Sequence, residues 1–420
     1  VTRKTVHAGV QVSTLEMGLP DTQTVSQTVR QPVTQAAVQS VDVLILGAGP
    51  AGCTAALNLA RACRVLLVER DALPRPRAGE SLPPAANQLL RDMGLLDDFR
   101  QQGHLPCHGN RSQWGSPDWQ ESDFLRDPQG HGWHLDRPRF ESWLRQHALT
   151  RGATLLAPAR LEHIARHDHG WRVEVRAETD AQAPAPASST MQIHARIVLD
   201  AGGRTPVLAK AQGAVREQHD KLVCGWLIIN ENLSGDASRG LTRILATEHG
   251  WWYTAPLPQQ QRILAFYSDS DLPLASAMRD AQGLLHLARQ AVPEWLAELP
   301  ALSSALSSAL SSACSTEPLV HGYSAANSAS TLPAAGNGWL CAGDAALSFD
   351  PLSSQGIFNA LYTGLAAAES IYRHLRGDIA DFGEYQAQLQ RIDAAYRQHL
   401  LQWYGSETRW PHAPFWQRRR

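Results

Sequence analysis

The chain has 420 residues, 43% of them hydrophobic and 19% charged, with 38 Lys and Arg against 40 Asp and Glu. That length exceeds one small core and points to about two domains. The formal net charge of −2 excludes the basic face of a nucleic-acid binder.

Residues 1–40 are rich in Thr, Gln and Val, lack the apolar core of a secretory signal, and read as a disordered extension. Val41–Leu46 is a short buried strand. Gly47 to Gly52 is a turn, Pro50–Ala62 a helix of small and apolar residues, and Arg64–Glu69 a second strand. This β-turn-α-β unit has the size of a βαβ fold. Pro84–Met93 reads as a helix that Gly94 can cap. Residues 101–136 are rich in Gly, Pro and Trp and read as a loop-like substrate or lid region. Arg137–Arg151 is a helix with Phe140, Trp143 and Leu144 on one face. Thr154–Ala157, Gly170–Arg176 and Met191–Leu199 read as strands, and Glu178–Thr190 as a hairpin tip. Residues 222–270 alternate as a sheet does, notably Val223–Ile229 and Arg262–Tyr267. The repeated ALSS of Ala301–Cys314 spaces leucines as a helix that covers the second domain. Gly356–Leu375 and Phe382–Tyr404 are further helices. No run of ~18 apolar residues is present, so no membrane-spanning helix is expected. Cys53, Cys63, Cys107, Cys224, Cys314 and Cys341 are scattered singly, which reads as reduced thiols in a cytoplasm.

Three motifs carry chemistry. In Gly47-Ala48-Gly49-Pro50-Ala51-Gly52, Gly47 permits the turn, Gly49 lets backbone approach a pyrophosphate, and Gly52 allows helix to pack on strand. The phosphates belong at the helix N-terminus, where unpaired N–H groups favour anions. Glu69, which ends the next strand, is where an acid meets ribose hydroxyls. The second motif is Gly343-Asp344 at the end of an apolar strand. It is followed by Asp350-Pro351-Leu352-Ser353-Ser354-Gln355-Gly356 and a helix whose positive end would face a flavin ring. The third is Asp200-Ala201-Gly202-Gly203-Arg204, which reads equally as a plain strand-to-turn connection.

Together these ordered motifs resemble the FAD-containing aromatic hydroxylase superfamily, which includes tryptophan halogenases and geranylgeranyl reductases, over roughly residues 41–376. Arg77-Ala78-Gly79-Glu80-Ser81-Leu82-Pro83 is similar to the GE-x-x-x-P segment of the halogenase-like branch. Arg137 with Phe140 is similar to the Arg-x-x-Phe of its next helix. The resemblance implies an α/β fold: a discontinuous Rossmann-type FAD-binding domain (41–100, 133–215 and 316–376), a second α+β substrate domain (101–132 and 216–315) and a C-terminal helical segment (377–420). It implies FAD, reduced by NAD(P)H or by a separate flavin reductase. The expected cofactor contacts are Gly47, Gly49, Pro50, Ala51, Gly52, Glu69, Arg70, Arg137, Asp344, Gly356 and Ile357. Glu80, Asp350 and Trp251 are candidates for catalysis, without assigned roles, and no metal site is expected.

Halogenases of this branch need a lysine reached from the segment after GE-x-x-x-P, and no Lys occurs between Glu80 and Ala209. Their Trp-x-Trp-x-Ile-Pro signature is matched by Trp251-Trp252-Tyr253-Thr254-Ala255-Pro256, with Tyr at the third position and Ala at the fifth. On these grounds halogenation is set aside. The expected function is an FAD-dependent monooxygenase that hydroxylates an aromatic ring through a flavin C4a-hydroperoxide. Trp114, Trp119, Trp133, Trp251 and Trp252 are candidates to wall its pocket. Segments 110–116, 132–137, 407–410 and 414–416 look most like the flavoprotein maturases of tryptophylquinone enzymes. That makes the expected substrate a Trp side chain of a partner protein, with no nucleic acid and no membrane involved and the oligomeric state open. Alternatives are a hydroxylase of a small aromatic metabolite, a reductase of the geranylgeranyl reductase type, and a non-catalytic FAD-binding chaperone.

Overall fold

The computed structural model describes residues 38–124, 126–178, 188–230, 240–293, 295, 320–377 and 382–420. The expected extension 1–40 lies outside the described residues up to residue 37. The first strand, Gln39–Leu46, starts two positions earlier than expected. The ALSS stretch and the expected hairpin tip between residues 179 and 187 also lie outside the described residues.

The fold is α/β, with a Rossmann-type domain, a second α+β domain and C-terminal helices. Its first sheet has eight strands. Gln39–Leu46 runs parallel to Val65–Val68 on one side and to Ser188–Asp200 on the other, and Ser188–Asp200 runs parallel to Trp339–Cys341. Val43, Leu44 and Ile45 have no exposed surface, as expected where helices cover both faces of a parallel sheet. Helices Pro50–Leu59, Arg137–Thr150 and Gly356–Leu375 pack into the same core.

The second sheet has seven strands in the order 320–325, 222–230, 261–269, 250–257, 241–247, 109–113, 120–123. It is antiparallel except where Leu241–Thr247 meets Gly109–Gln113. Val320–Ala325 pairs with Leu222–Asn230 here rather than with the first sheet. Every residue of Gly250–Leu257 is buried, because both faces of this sheet are covered. Trp251, Tyr253, Ala255 and Leu257 point to one face, where Tyr404, Phe415 and Trp416 of the C-terminal segment meet them. Trp252, Leu264 and Phe266 point to the other, under Leu284, Leu285 and Ala288 of helix Ala281–Ala291. Each of the larger side chains here, such as Leu264 or Phe266, contributes roughly 1.5–3 kcal/mol by burial.

Residues 101–136 correct the sequence reading. They hold the short strands Leu105–Cys107, Gly109–Gln113, Gln120–Asp123 and Gly132–His134. Runs of three to five residues are too short for alternation to register, and their partners are distant in sequence: Gly109–Gln113 aligns with 241–245.

The expected tryptophan-walled pocket is likewise not formed. Trp251 and Trp252 are neighbours on one strand and therefore face opposite sides. Trp119 packs against the cluster of Trp252, while Trp133 belongs to the core of the first sheet.

Candidate functional site

The three motifs converge at the carboxyl ends of the neighbouring parallel strands Gln39–Leu46, Ser188–Asp200 and Trp339–Cys341. Gly47 sits at φ +98, a conformation that L side chains rarely adopt, and a Cβ there would meet the Ala201 carbonyl at 2.5 Å. At Gly52 a Cβ would lie 2.0 Å from the Gly47 carbonyl, so turn and helix can close only on glycine. Gly49 is different: nothing lies within 4 Å of its Cβ position. It caps helix Pro50–Leu59 with no side-chain hydrogen bond, and Pro50 follows at the first turn. The helix therefore offers bare N–H groups into open space, a cradle for an anion. Ala51 faces inward; a Cβ on Gly343 would approach its methyl at 2.8 Å and one on Gly364 its carbonyl at 2.4 Å.

Glu69 reaches back to this turn. Its carboxylate accepts from Ala48 N at 2.8 Å and from Asp71 N at 3.1 Å. Arg145, buried on helix Arg137–Thr150, donates to the Ala48 carbonyl at 3.0 Å and stands 3.7 Å from Glu69. Arg70 instead points to solvent beside Asp71. Arg137 is buried at the start of its helix, where Asp136 caps Arg139 N. It donates to Glu141 at 2.6 Å and to the Gly79 carbonyl, while its Nε has no partner. Sequence reading missed Arg145, although positions 137, 141 and 145 recur every four residues and so share a helix face.

The Gly-Asp motif is held by the third motif. Arg204 stands 3.6 Å from Asp344 and donates to the carbonyls of Asn327 and, at 3.3 Å, Phe349. Asp200, its carboxyl raised above the usual range by burial, accepts from Gly202 N and Leu208 N. The sequence pattern flagged the segment but not Arg204 as the link. Beyond it, Ser354 adopts φ +52 and Gly356 opens helix Gly356–Leu375 with nothing within 4 Å of its Cβ position. Ile357 is buried beside it.

The three catalytic candidates fall into two groups. Glu80 is 2% exposed and accepts from Tyr253 Oη, which is 3.1 Å from Ser81 Oγ. Burial raises the pKa of Glu80. Glu80, Arg77 and Arg137 line a cleft of about 290 Å³ together with Ile228 and Leu257. Asp350 and Trp251 lie apart from Glu80 in a chain of hydrogen bonds. Trp251 Nε1 donates to Tyr404 Oη at 3.2 Å, and Tyr404 donates to Asp350 at 2.8 Å. Asp350 also accepts from Leu352 N at 2.9 Å, and burial pushes its pKa to about 7. Tyr404 comes from the C-terminal helix and carries no motif that would have singled it out.

The open cradle at Gly49, the acid at Glu69, the partnerless Nε of Arg137 and the open helix start at Gly356 fit an extended dinucleotide. The profile of the FAD binding domain matches residues 40–276. The chain is 29% identical to the FAD-dependent oxidoreductase LodB of Marinomonas mediterranea, over 91% of this chain and 97% of that protein. It is 26% identical to the flavin-dependent halogenase gsfI of Penicillium aethiopicum, covering 86% and 70%. It is 23% identical to the 1H-pyrrole-2-carbonyl-[peptidyl-carrier protein] brominase of Pseudoalteromonas luteoviolacea, covering 81% and 79%. Among solved structures, the myxobacterial chondrochloren halogenase CndH superposes with a TM-score of 0.75 at 24% identity, covering 91% and 86%. The peptidyl tryptophan dihydroxylase QhpG gives 0.63 at 21%, covering 90% and 78%. At these identities the structures show the shared fold.

These similarities correct the sequence reading. It set halogenation aside and placed the chain with maturase-type hydroxylases, yet flavin halogenases and a brominase align with it over most of its length. The missing lysine and the two altered signature positions are local departures. They do not outweigh a likeness spread over the whole fold. Among the described residues, no helix is long and apolar enough to cross a membrane.

Proposed function

Because the chain belongs to the FAD binding domain family and is an FAD-dependent oxidoreductase, we propose that it carries out halogenase-type flavin chemistry on an aromatic group borne by another protein. The observation that supports this most is the alignment of curated flavin halogenases over more than four fifths of the chain. The brominase among them acts on a carrier-protein-bound pyrrole, and QhpG on peptidyl tryptophan. Both names favour a protein-borne substrate here.

FAD, reduced by NAD(P)H or by a flavin reductase, supplies activation of dioxygen when bound. Gly47, Gly49 and Gly52 shape the turn for its pyrophosphate, and Glu69 and Asp344 offer carboxylates to its hydroxyls. Arg145 and Arg204 hold those carboxylates in place. The start of helix Gly356–Leu375 favours negative charge beside it. With no lysine between residues 80 and 209, the acids that line the cleft are Glu80 and Asp136, and Glu80 is the buried one. It is buried, raised in pKa and oriented by Tyr253, which suits it to hold a proton and deliver it to a reacting atom.

The test is product analysis. Holoenzyme, a flavin reductase, NADH and oxygen are incubated with candidate partner proteins, with and without chloride or bromide. A halide-dependent halogen on one aromatic side chain is the expected product. Oxygen insertion that ignores halide would overturn this reading.

A further inference from the structure

Behind the loop 349–355 lies a cavity of about 580 Å³ between helices Gly356–Leu375 and Gly383–Ser406. Its walls are aromatic: Phe349 and Tyr396 stack at 4.0 Å with their rings 10° apart, and Phe358 faces Tyr362 at 6.2 Å. Trp403 stands at the rim with 58% of its surface exposed. Its main chain is anchored there, because its carbonyl accepts from Trp114 Nε1 at 2.9 Å and from Ser406 Oγ at 2.7 Å.

Among the described residues no Asp, Glu, Lys or Arg lines this cavity, so it suits an uncharged guest. Stacked rings favour an aromatic one. Gln355 and His399 border it, and among the described residues neither side chain has a hydrogen-bond partner. They are free to meet an indole N–H, a phenol or a peptide group. The volume lies within the ~300–1,000 Å³ of pockets that enclose a whole ligand and exceeds what one ring fills. It leaves space for a ring together with its backbone.

The cavity also touches the flavin-side loop. Tyr396 Oη accepts from Asp350 N at 2.6 Å, while Leu352, Ser353 and Gln355 form part of the lining just before the helix that opens at Gly356. A guest here presses on the segment that the motifs place beside the cofactor.

We propose that this cavity is a docking pocket for the substrate protein, taking an uncharged aromatic side chain, indole or phenol, of a peptide segment that enters past Trp403, apart from the cleft at Glu80 where the reacting group is held. The assignment rests on the protein-borne substrate of the preceding section.

The experiment titrates holoenzyme with the blocked peptide acetyl-Ala-Trp-Ala-amide, using calorimetry for binding and the flavin absorption band for contact with the loop. Saturable binding with a perturbed flavin band is expected, and none with the all-alanine peptide. Trp403→Ala and the pocket-filling Leu400→Trp should each weaken binding about tenfold at unchanged flavin content. If Leu400→Trp loses flavin, His399→Ala takes its place, with weakened binding again expected. Wild-type affinity in these variants, equal binding of the alanine peptide, or no binding of the Trp peptide would overturn the proposal. Binding without any halogenated product would leave the pocket standing and remove only the halogenase reading.

Discussion

Raising the pH should cost this protein stability through one carboxyl, and Asp350→Asn should abolish that cost. Asp350 is 1% exposed, and burial raises its pKa to about 7 from the 3.8 usual for an aspartate. Between about pH 4 and 7 the folded chain keeps a proton that the unfolded chain releases, so the unfolded state binds fewer protons and stability falls as pH rises. The contribution is fully present below the unfolded pKa and gone above the folded one. At about 1.4 kcal/mol for each unit of the gap, the whole effect is about 4 kcal/mol, and about 3 kcal/mol of it falls between pH 5 and 8. Urea unfolding of wild type and Asp350→Asn at pH 5, 6.5 and 8, at matched flavin occupancy, cancels most other titrations in the difference. The variant should gain about 3 kcal/mol relative to wild type across that range. Parallel pH–stability curves would refute the burial argument.

Three further outcomes follow from the geometry. Gly49→Val places a side chain in the open space of the cradle, and the purified protein should lose its flavin absorbance while keeping its far-UV dichroism; a fully yellow variant would contradict the cofactor assignment. Arg419 pairs with Asp269 through two hydrogen bonds at 3.1 and 2.6 Å, both side chains buried. Arg419→Ala should therefore cost about 3–5 kcal/mol in urea titration, and a loss under 1 kcal/mol would show that the tail is not clamped there. Glu80→Gln should retain flavin but lower turnover and flatten its decline at high pH, because a catalytic acid loses activity as pH rises through its pKa; an unchanged pH–rate profile would remove Glu80 from proton transfer.

Much of the first domain was legible because its constraints are local. Gly47, Gly49 and Gly52 answer to the conformation of one turn, and Glu69 to the length of the strand after it. The helices expected there were placed to within a few residues for the same reason, as with Pro84–Met93 expected and Ala85–Asp92 observed, while short ones such as Leu96–Arg100 were not expected. Short strands such as Gly109–Gln113 were not, since only a distant partner makes them strands. The chemistry misread as hydroxylation shows a related limit. A few altered positions were weighed against a family whose likeness is carried by the whole chain.

The sequence by itself determined the dinucleotide turn, the order of the motifs and the α/β class, because backbone conformation and hydrophobic period are written in neighbouring residues. Only the tertiary structure decided that Arg204 meets Asp344, and that Trp251, Tyr404 and Asp350 form one hydrogen-bonded chain. It also decided that the aromatic cavity belongs to the C-terminal helix. Those contacts join residues far apart in the chain, and they exist because burial of the two sheets' faces brings the C-terminal segment back across them.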